Sequence, residues 1–253
     1  MKMKTFKAYF HKEVIESIRQ YRYIILGFGI LMFAIATPIM LKILPKLLEG
    51  ELNADLSALI VFTKSSGVQS YIKDLFQISN MFIIFIGAGL LTDEISSQKL
   101  VFPYSKGGSP VGIVLAKFIH FSLVVCSFVF IGFMINYYYL GILVSEGDIE
   151  FSKVLMSALI MCIYFLGNIA LTLFLGTIFK KGITAGIIVL LLSYFSSLIV
   201  NVKVVGELIS YNLINIASSF DYSNIAKTII IVVLISIILI ALTIYRMNKL
   251  EVI

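Results

Sequence analysis

Few side chains in this sequence are equipped for chemistry, and their positions decide what chemistry is open to it. Two cysteines, Cys126 and Cys162, lie inside long apolar runs, which leaves neither a disulfide framework nor a paired-cysteine metal motif. His120 is the sole ionisable candidate within an apolar run of membrane length. A histidine there reads first as a snorkelling or hydrogen-bonded side chain, although intramembrane ionisable groups are functional suspects by default. Asn80, Asn136, Asn168 and Asn201 add limited polarity. Paired acids for a proton relay, or a nucleophile beside a base for intramembrane hydrolysis, have no candidates. The run "SKGGS" at 105–109 looks like a phosphate cradle. It lacks the G-x-x-x-x-G-K-[ST] pattern in which the lysine and hydroxyl meet phosphates and Mg²⁺. No catalytic residue, metal ligand or bound cofactor is expected, so any energy input must come from another chain.

The elements that hold these residues are set by composition. Of 253 residues, 60% are hydrophobic and 13% charged, where soluble domains carry roughly a quarter charged residues. The chain reads as an integral membrane protein. A spanning helix needs about 20 mostly apolar residues, and six runs meet that need, near 23–41, 75–92, 118–143, 155–179, 183–202 and 228–245. None alternates in polarity as barrel strands do. The expected fold is therefore an all-α membrane protein, one domain of six transmembrane helices over 1–253.

The net charge of +6 forms no patch interleaved with aromatics, which argues against nucleic acid. It follows topology instead. With the N-terminus inside, inner segments hold 13 of the 20 Lys and Arg, and outer segments hold nine of the 14 acids, including Glu146, Asp148 and Glu150. By the positive-inside rule both termini are expected to be cytoplasmic. An A-x-A pattern at Ala34–Ala36 suggests a cleavable signal, but the long patterned basic region before it and Pro38 just after it favour a retained first span.

Ahead of that span, residues 5–22 place Phe6, Phe10, Val14, Ile18 and Tyr21 on one helical stripe, with Lys7, His11, Lys12, Glu16, Arg19 and Arg22 largely off it. Such a helix can lie in the interface, basic face toward anionic headgroups. A solvated extension, or direct continuation into the first span, are the alternatives.

The longest inner loop lies between spans two and three. Its first part, Glu94–Phe102, is free of glycine and proline and predicts two turns of helix. Pro103 then stops it, "SKGG" turns the chain, and Ser109-Pro110 reads as an N-cap and first helical position. A short helix showing Leu100, Val101 and Phe102 beside Lys99 is more than a connector needs, although a plain polar loop is the simpler reading.

This layout resembles the ABC-2 type permease family of ABC transporters, most closely along "EISSQKLVFPYSKGGSPVGIVLAK" at 94–117. The matching positions are Glu94, Ser96, Ser97, Leu100, Pro103, Lys106 and Lys117. The sequence departs from the family in carrying Ser97-Gln98 where a glycine-threonine pair is frequent, and in a glycine pair beyond the proline. The resemblance implies an elbow helix at 5–22 carrying Phe6, Phe10, Val14 and Ile18. It implies a coupling helix at Glu94, Lys99, Leu100, Phe102, Pro103 and Lys106, docked in a separate ATPase subunit present in two copies. A second inner contact would fall at Lys180-Lys181, and a partly helical, possibly re-entrant segment at 203–227. ATP and Mg²⁺ would be bound by the ATPase, and a second permease, identical or homologous, would complete the complex in a bacterial plasma membrane.

Gly182 and Gly186 form a G-x-x-x-G at the start of span five, and Gly87-Ala88-Gly89 sit in span two, both suited to close approach of helices or of a second copy. The outer loops leave no room for a receptor domain, which favours export over import. An uncharged path lined by Phe, Tyr, Ile and small residues suits an amphipathic or hydrophobic cargo such as a peptide toxin, antimicrobial peptide, antibiotic or lipid-like molecule. The alternative is a stand-alone multi-pass immunity or sensor protein with no ATPase partner.

Overall fold

A computed structural model describes residues 2–52, 63–144, 147–179, 181–200, 206, 209–223 and 225–249. Among them every regular element is helical, as lipid requires of a backbone that finds no water. The helices are α1 (Lys2–Arg19), α2 (Arg22–Leu52), α3 (Lys64–Asp74), α4 (Asn80–Ser96), α5 (Val101–Ser105), α6 (Pro110–Leu143), α7 (Phe151–Gly176), α8 (Gly182–Ile199), α9 (Asn212–Ser219) and α10 (Ile225–Lys249). One π-helical turn, Leu75–Ser79, joins α3 to α4 without a break.

Among the described residues, six runs are long and apolar enough to cross a membrane: Arg22–Leu44, Lys64–Ser96, Pro110–Leu143, Phe151–Gly176, Gly182–Ile199 and Ile225–Lys249. The second begins well before the expected start near 75. Asp74 precedes the charge-free run near 75–92, but it is half-buried and accepts a 2.6 Å hydrogen bond from the Thr37 hydroxyl of α2. A paired carboxylate lets the helix continue through it. The third spanning helix begins at Pro110, as Ser109-Pro110 predicts, and runs through Lys117, so this lysine lies inside the helix and not at the foot of a span near 118–143.

Helices α6 and α7 form the centre, with α1, α2 and α10 packed around them and α8 against α4. Tyr71 of α3 meets Phe133 of α6 edge to face, ring centres 5.1 Å apart. Pro38 sits inside α2, where it has no N–H to give the carbonyl four residues back. That carbonyl, Ala34 O, instead accepts from Asn136 Nδ2 of α6 at 3.3 Å, so an interhelical bond replaces the missing one.

The G-x-x-x-G of α8 packs within the chain. A Cβ on Gly182 would lie 3.4 Å from Gly89 Cα, and one on Gly186 would lie 2.8 Å from the Phe85 ring. The two small-residue patches read from the sequence thus face each other across α4 and α8. Of the 203–227 segment, α9 is helical and buries Leu213, Ile214, Ile216 and Ala217, while 203–205, 207–208 and 224 lie outside the described residues, as does Lys180.

Candidate functional site

The loop between α4 and α6 is built from two helix stops in succession. Helix α4 ends at Ser96, with Ser97 as its C-cap and Gln98 in the left-handed region at φ 55°. Gln98 N–H donates to Ile95 O (3.2 Å) and Lys99 N–H to Glu94 O (3.0 Å), the pair of bonds that defines a Schellman stop. After α5 the pattern repeats: Gly107 has φ 75°, its N–H donates to Tyr104 O at 2.9 Å, and Gly108 N–H donates to Pro103 O at 2.7 Å. Gly108 is required there, since a Cβ would sit 2.7 Å from that same carbonyl. Ser109 then precedes Pro110 at the first position of α6.

This corrects the expected division of the loop. Glu94–Phe102 is not one helix, and Pro103 does not stop it. The proline occupies the first turn of α5, where its lack of an N–H costs nothing, and the stop before it is made by Gln98, a residue with no conspicuous turn signature. The short helix exposes Val101 (39%) and Phe102 (65%), with Lys106 Nζ 4.5 Å over the Phe102 ring, and Lys99 is exposed beside them. Leu100, expected on this surface, is buried at 1%, and Glu94 is buried at 3%. Both support the helix from beneath.

Glu94 belongs to a buried ion cluster that sequence reasoning missed. Lys117 Nζ, itself 1% exposed, donates to Glu13 Oε1 at 2.6 Å and lies 2.9 Å from Glu94 Oε1. Lys12 pairs with Glu94 and, at 3.2 Å, with Glu16. Arg22 approaches Glu13 and Glu16 at 3.6 Å each. Glu94 sits in the last turn of α4, the unfavourable end of that helix's dipole for a carboxylate, and Lys117 lies two turns into α6. The ion pairs, not the dipoles, hold them. Three carboxylates, Glu13, Glu16 and Glu94, place oxygens within 4.8 Å of one another. They are balanced by Lys12, Arg22 and Lys117, whose charges fill the role a metal ion would otherwise take.

The field of the cluster reaches its neighbours. Burial pushes the Tyr104 hydroxyl up to about 12, helped by the Glu94 charge, and burial followed by Glu94 raises Tyr9 as well. Burial opposes the Lys12 charge, but Glu94, Glu13 and Glu16 outweigh it and hold Lys12 above its ordinary value. For Glu16, burial is outweighed by Lys12, Arg22 and Lys117, and the carboxyl titrates below its ordinary value. Tyr104 ties α5 itself to this field.

Helix α1 supplies Glu13 through an unexpected face. Its buried line is Tyr9, Glu13 and Ser17, four residues apart. Phe6 and Phe10 flank that line and pack on the core, Val14 is half-buried, and Ile18 is 58% exposed. The apolar stripe therefore turns outward toward its end while a polar line enters the bundle. Tyr21, at φ 56°, makes the sharp turn into α2. Two residues on, Tyr23 Oη lies 2.8 Å from His120 Nε2, and Phe10 meets the imidazole edge to face, so the one histidine singled out is partnered at Nε2 beside the cluster.

The signal for the cluster was present. A lone lysine eight residues into an apolar helix and a lone glutamate between Tyr9 and Ser17 each demand a partner. Treating Lys117 as a span boundary hid it. Of the remaining expected contacts, Lys181 is the N-cap of α8. No family model, curated protein or solved structure matches the chain.

Proposed function

We propose that this chain is the non-catalytic transmembrane permease subunit of an ATP-binding cassette exporter of the ABC-2 type. In this reading α1 is the elbow helix, both termini and α5 face the cytoplasm, and the membrane is the bacterial plasma membrane. Two copies of a separate ATPase bind ATP and Mg²⁺. A second permease, identical or homologous, completes the path for an amphipathic or hydrophobic cargo.

The observation that carries the proposal is the mounting of α5. A five-residue helix presents Phe102 and Val101 outward, is bounded by two Schellman stops, and stands on a charge-balanced cluster joining α1, α4 and α6. A push on such a helix moves its neighbours as a body, because Glu94 before it and Lys117 after it are held 2.9 Å apart. A connector needs no such stem. The contact surface is Lys99, Val101, Phe102 and Lys106, with Pro103 fixing the first turn, and Lys181 as a second contact from the start of α8. Glu94 and Leu100 act as supports. Glu13 and Glu94 are each ion-paired through Oε1, and His120 Nε2 lies against the Tyr23 hydroxyl, which fits a chain that transmits work from a partner.

The test is affinity purification of the tagged full chain from native membranes in mild detergent. Co-purification of a chain bearing a Walker A motif, reduced at least tenfold by Val101→Ser/Phe102→Ser, supports the proposal. Activity and full complement in the absence of any ATPase would instead identify a stand-alone immunity or sensor protein.

A further inference from the structure

A second polar cluster lies near the middle of the spans, far along the chain from the ion cluster. Asn80 opens α4 midway through the Lys64–Ser96 run, Tyr164 and Asn168 lie one turn apart in α7, and Ser193 lies in α8. Asn80 and Tyr164 are fully buried, and Asn168 and Ser193 are each 5% exposed or less. One direct bond joins them, from Asn168 Nδ2 to Asn80 Oδ1 at 3.0 Å. Three polar atoms remain without a partner: Asn80 Nδ2, Tyr164 Oη and Ser193 Oγ. Asn168 and Ser193 lie beside the Tyr164 hydroxyl, but neither meets it in hydrogen-bond geometry.

Leaving three buried polar groups unpaired carries the full desolvation penalty of each, and in a membrane interior no bulk water relieves them. The local backbone is arranged to bring them together. The π-turn Leu75–Ser79 inserts one extra residue just before Asn80, and one residue is a rotation of about 100° on a helix, which turns Asn80 toward α7. The same turn is tied down on both sides, by Ser79 Oγ donating to Gly29 O (2.6 Å) and Tyr194 Oη donating to Gln77 O (2.6 Å). Single π-turns of this kind recur at functional positions.

We infer that Asn80, Tyr164 and Ser193, with Asn168, hold ordered water at the midplane of the bundle. A water molecule accepts from the Asn80 amide and exchanges hydrogen bonds with the two hydroxyls, satisfying all three orphans at once; buried waters typically make about three such bonds. Such water gives Asn80, Tyr164 and Ser193 exchangeable partners at a level where the direct Asn168–Asn80 and Tyr194–Gln77 bonds hold α4, α7 and α8 together.

Hydroxyl-radical footprinting tests this on the intact chain in lipid nanodiscs, using X-ray radiolysis in H₂¹⁸O and mass spectrometry. Bound water beside a buried ring labels it in place. The expected result is oxidation of Tyr164 at least tenfold above the adjacent Phe165, which is equally buried at 0%, with slow uptake of ¹⁸O from the exchanged solvent. Ser193→Ala lowers the Tyr164 label severalfold while leaving Phe165 unchanged. Equal, low labelling of Tyr164 and Phe165 would mean a dry contact, and equal, high labelling would mean open access to bulk solvent. Either result overturns the inference without reference to any ATPase.

Discussion

Replacing Lys117 by methionine removes the ammonium that holds Glu13 and Glu94 together, with little change in volume. The cluster is then left with three carboxylates against Lys12 and Arg22, and Glu13, 0% exposed, loses its 2.6 Å partner. Breaking a buried pair by removing one member costs about 3–5 kcal/mol. At about 2–4 °C per kcal/mol for a chain of this size, melting falls by about 6–20 °C. The chain has no tryptophan, so a thiol-reactive dye reporting exposure of Cys162, buried at 5%, is a suitable reader in detergent. Glu13→Gln with Lys117→Met restores two charges against two. The double variant is expected to be less destabilised than the sum of the singles by about 1–3 kcal/mol. A single variant within 0.5 kcal/mol of the parent, on the order of a surface substitution, or strict additivity in the double, would refute the charge-balanced stem.

Gln98→Gly should stabilise the chain by up to about 1 kcal/mol in the same melt, because a left-handed residue other than glycine carries roughly 1–2 kcal/mol of strain, whereas Gln98→Val should destabilise it. Gly186→Leu, which drives a side chain into Phe85 and Ala88, should cost about 1–3 kcal/mol as overpacking of α8 on α4. Stability should be flat near neutrality and fall at both extremes. Glu16 titrates below its ordinary 4.5, so its contribution is present above that value and lost as pH drops through its lower folded pKa. Lys12 titrates above its ordinary 10.5, so its contribution is present below that value and lost as pH rises through its higher folded pKa; melting temperature across pH 3–12 checks both signs.

The spans were legible because twenty-residue apolar runs have few other physical uses, and Ser109-Pro110 announced the start of α6 by cap chemistry alone. What was hidden depended on tertiary pairing. Asp74 and Lys117 are charges that ordinarily end a span, and only Thr37 in the first case and Glu13 and Glu94 in the second show why the helix runs through them. The apolar stripe of α1 through Phe6, Phe10, Val14 and Ile18 drew attention to a lipid-facing side and away from the line of Tyr9, Glu13 and Ser17 that enters the bundle. Gln98 was invisible as a stop because its left-handed conformation goes with two backbone bonds, its own N–H to Ile95 O and that of Lys99 to Glu94 O, and glutamine carries no turn signature in sequence. The water site could not be read at all: Asn80 reaches Asn168 only because a π-turn shifts its phase.

The central claim is that α5 is the handle by which a partner ATPase moves this membrane bundle. The most direct measurement is site-specific photo-crosslinking in native membranes, with a photoreactive phenylalanine at Phe102, 65% exposed, and a control at Asp148, whose side chain is 96% exposed in the loop at the other end of α6. The account predicts a crosslink from position 102 to a chain carrying a Walker A motif, and none from position 148. Crosslinking to such a chain from position 148 alone, or from neither position, would contradict it.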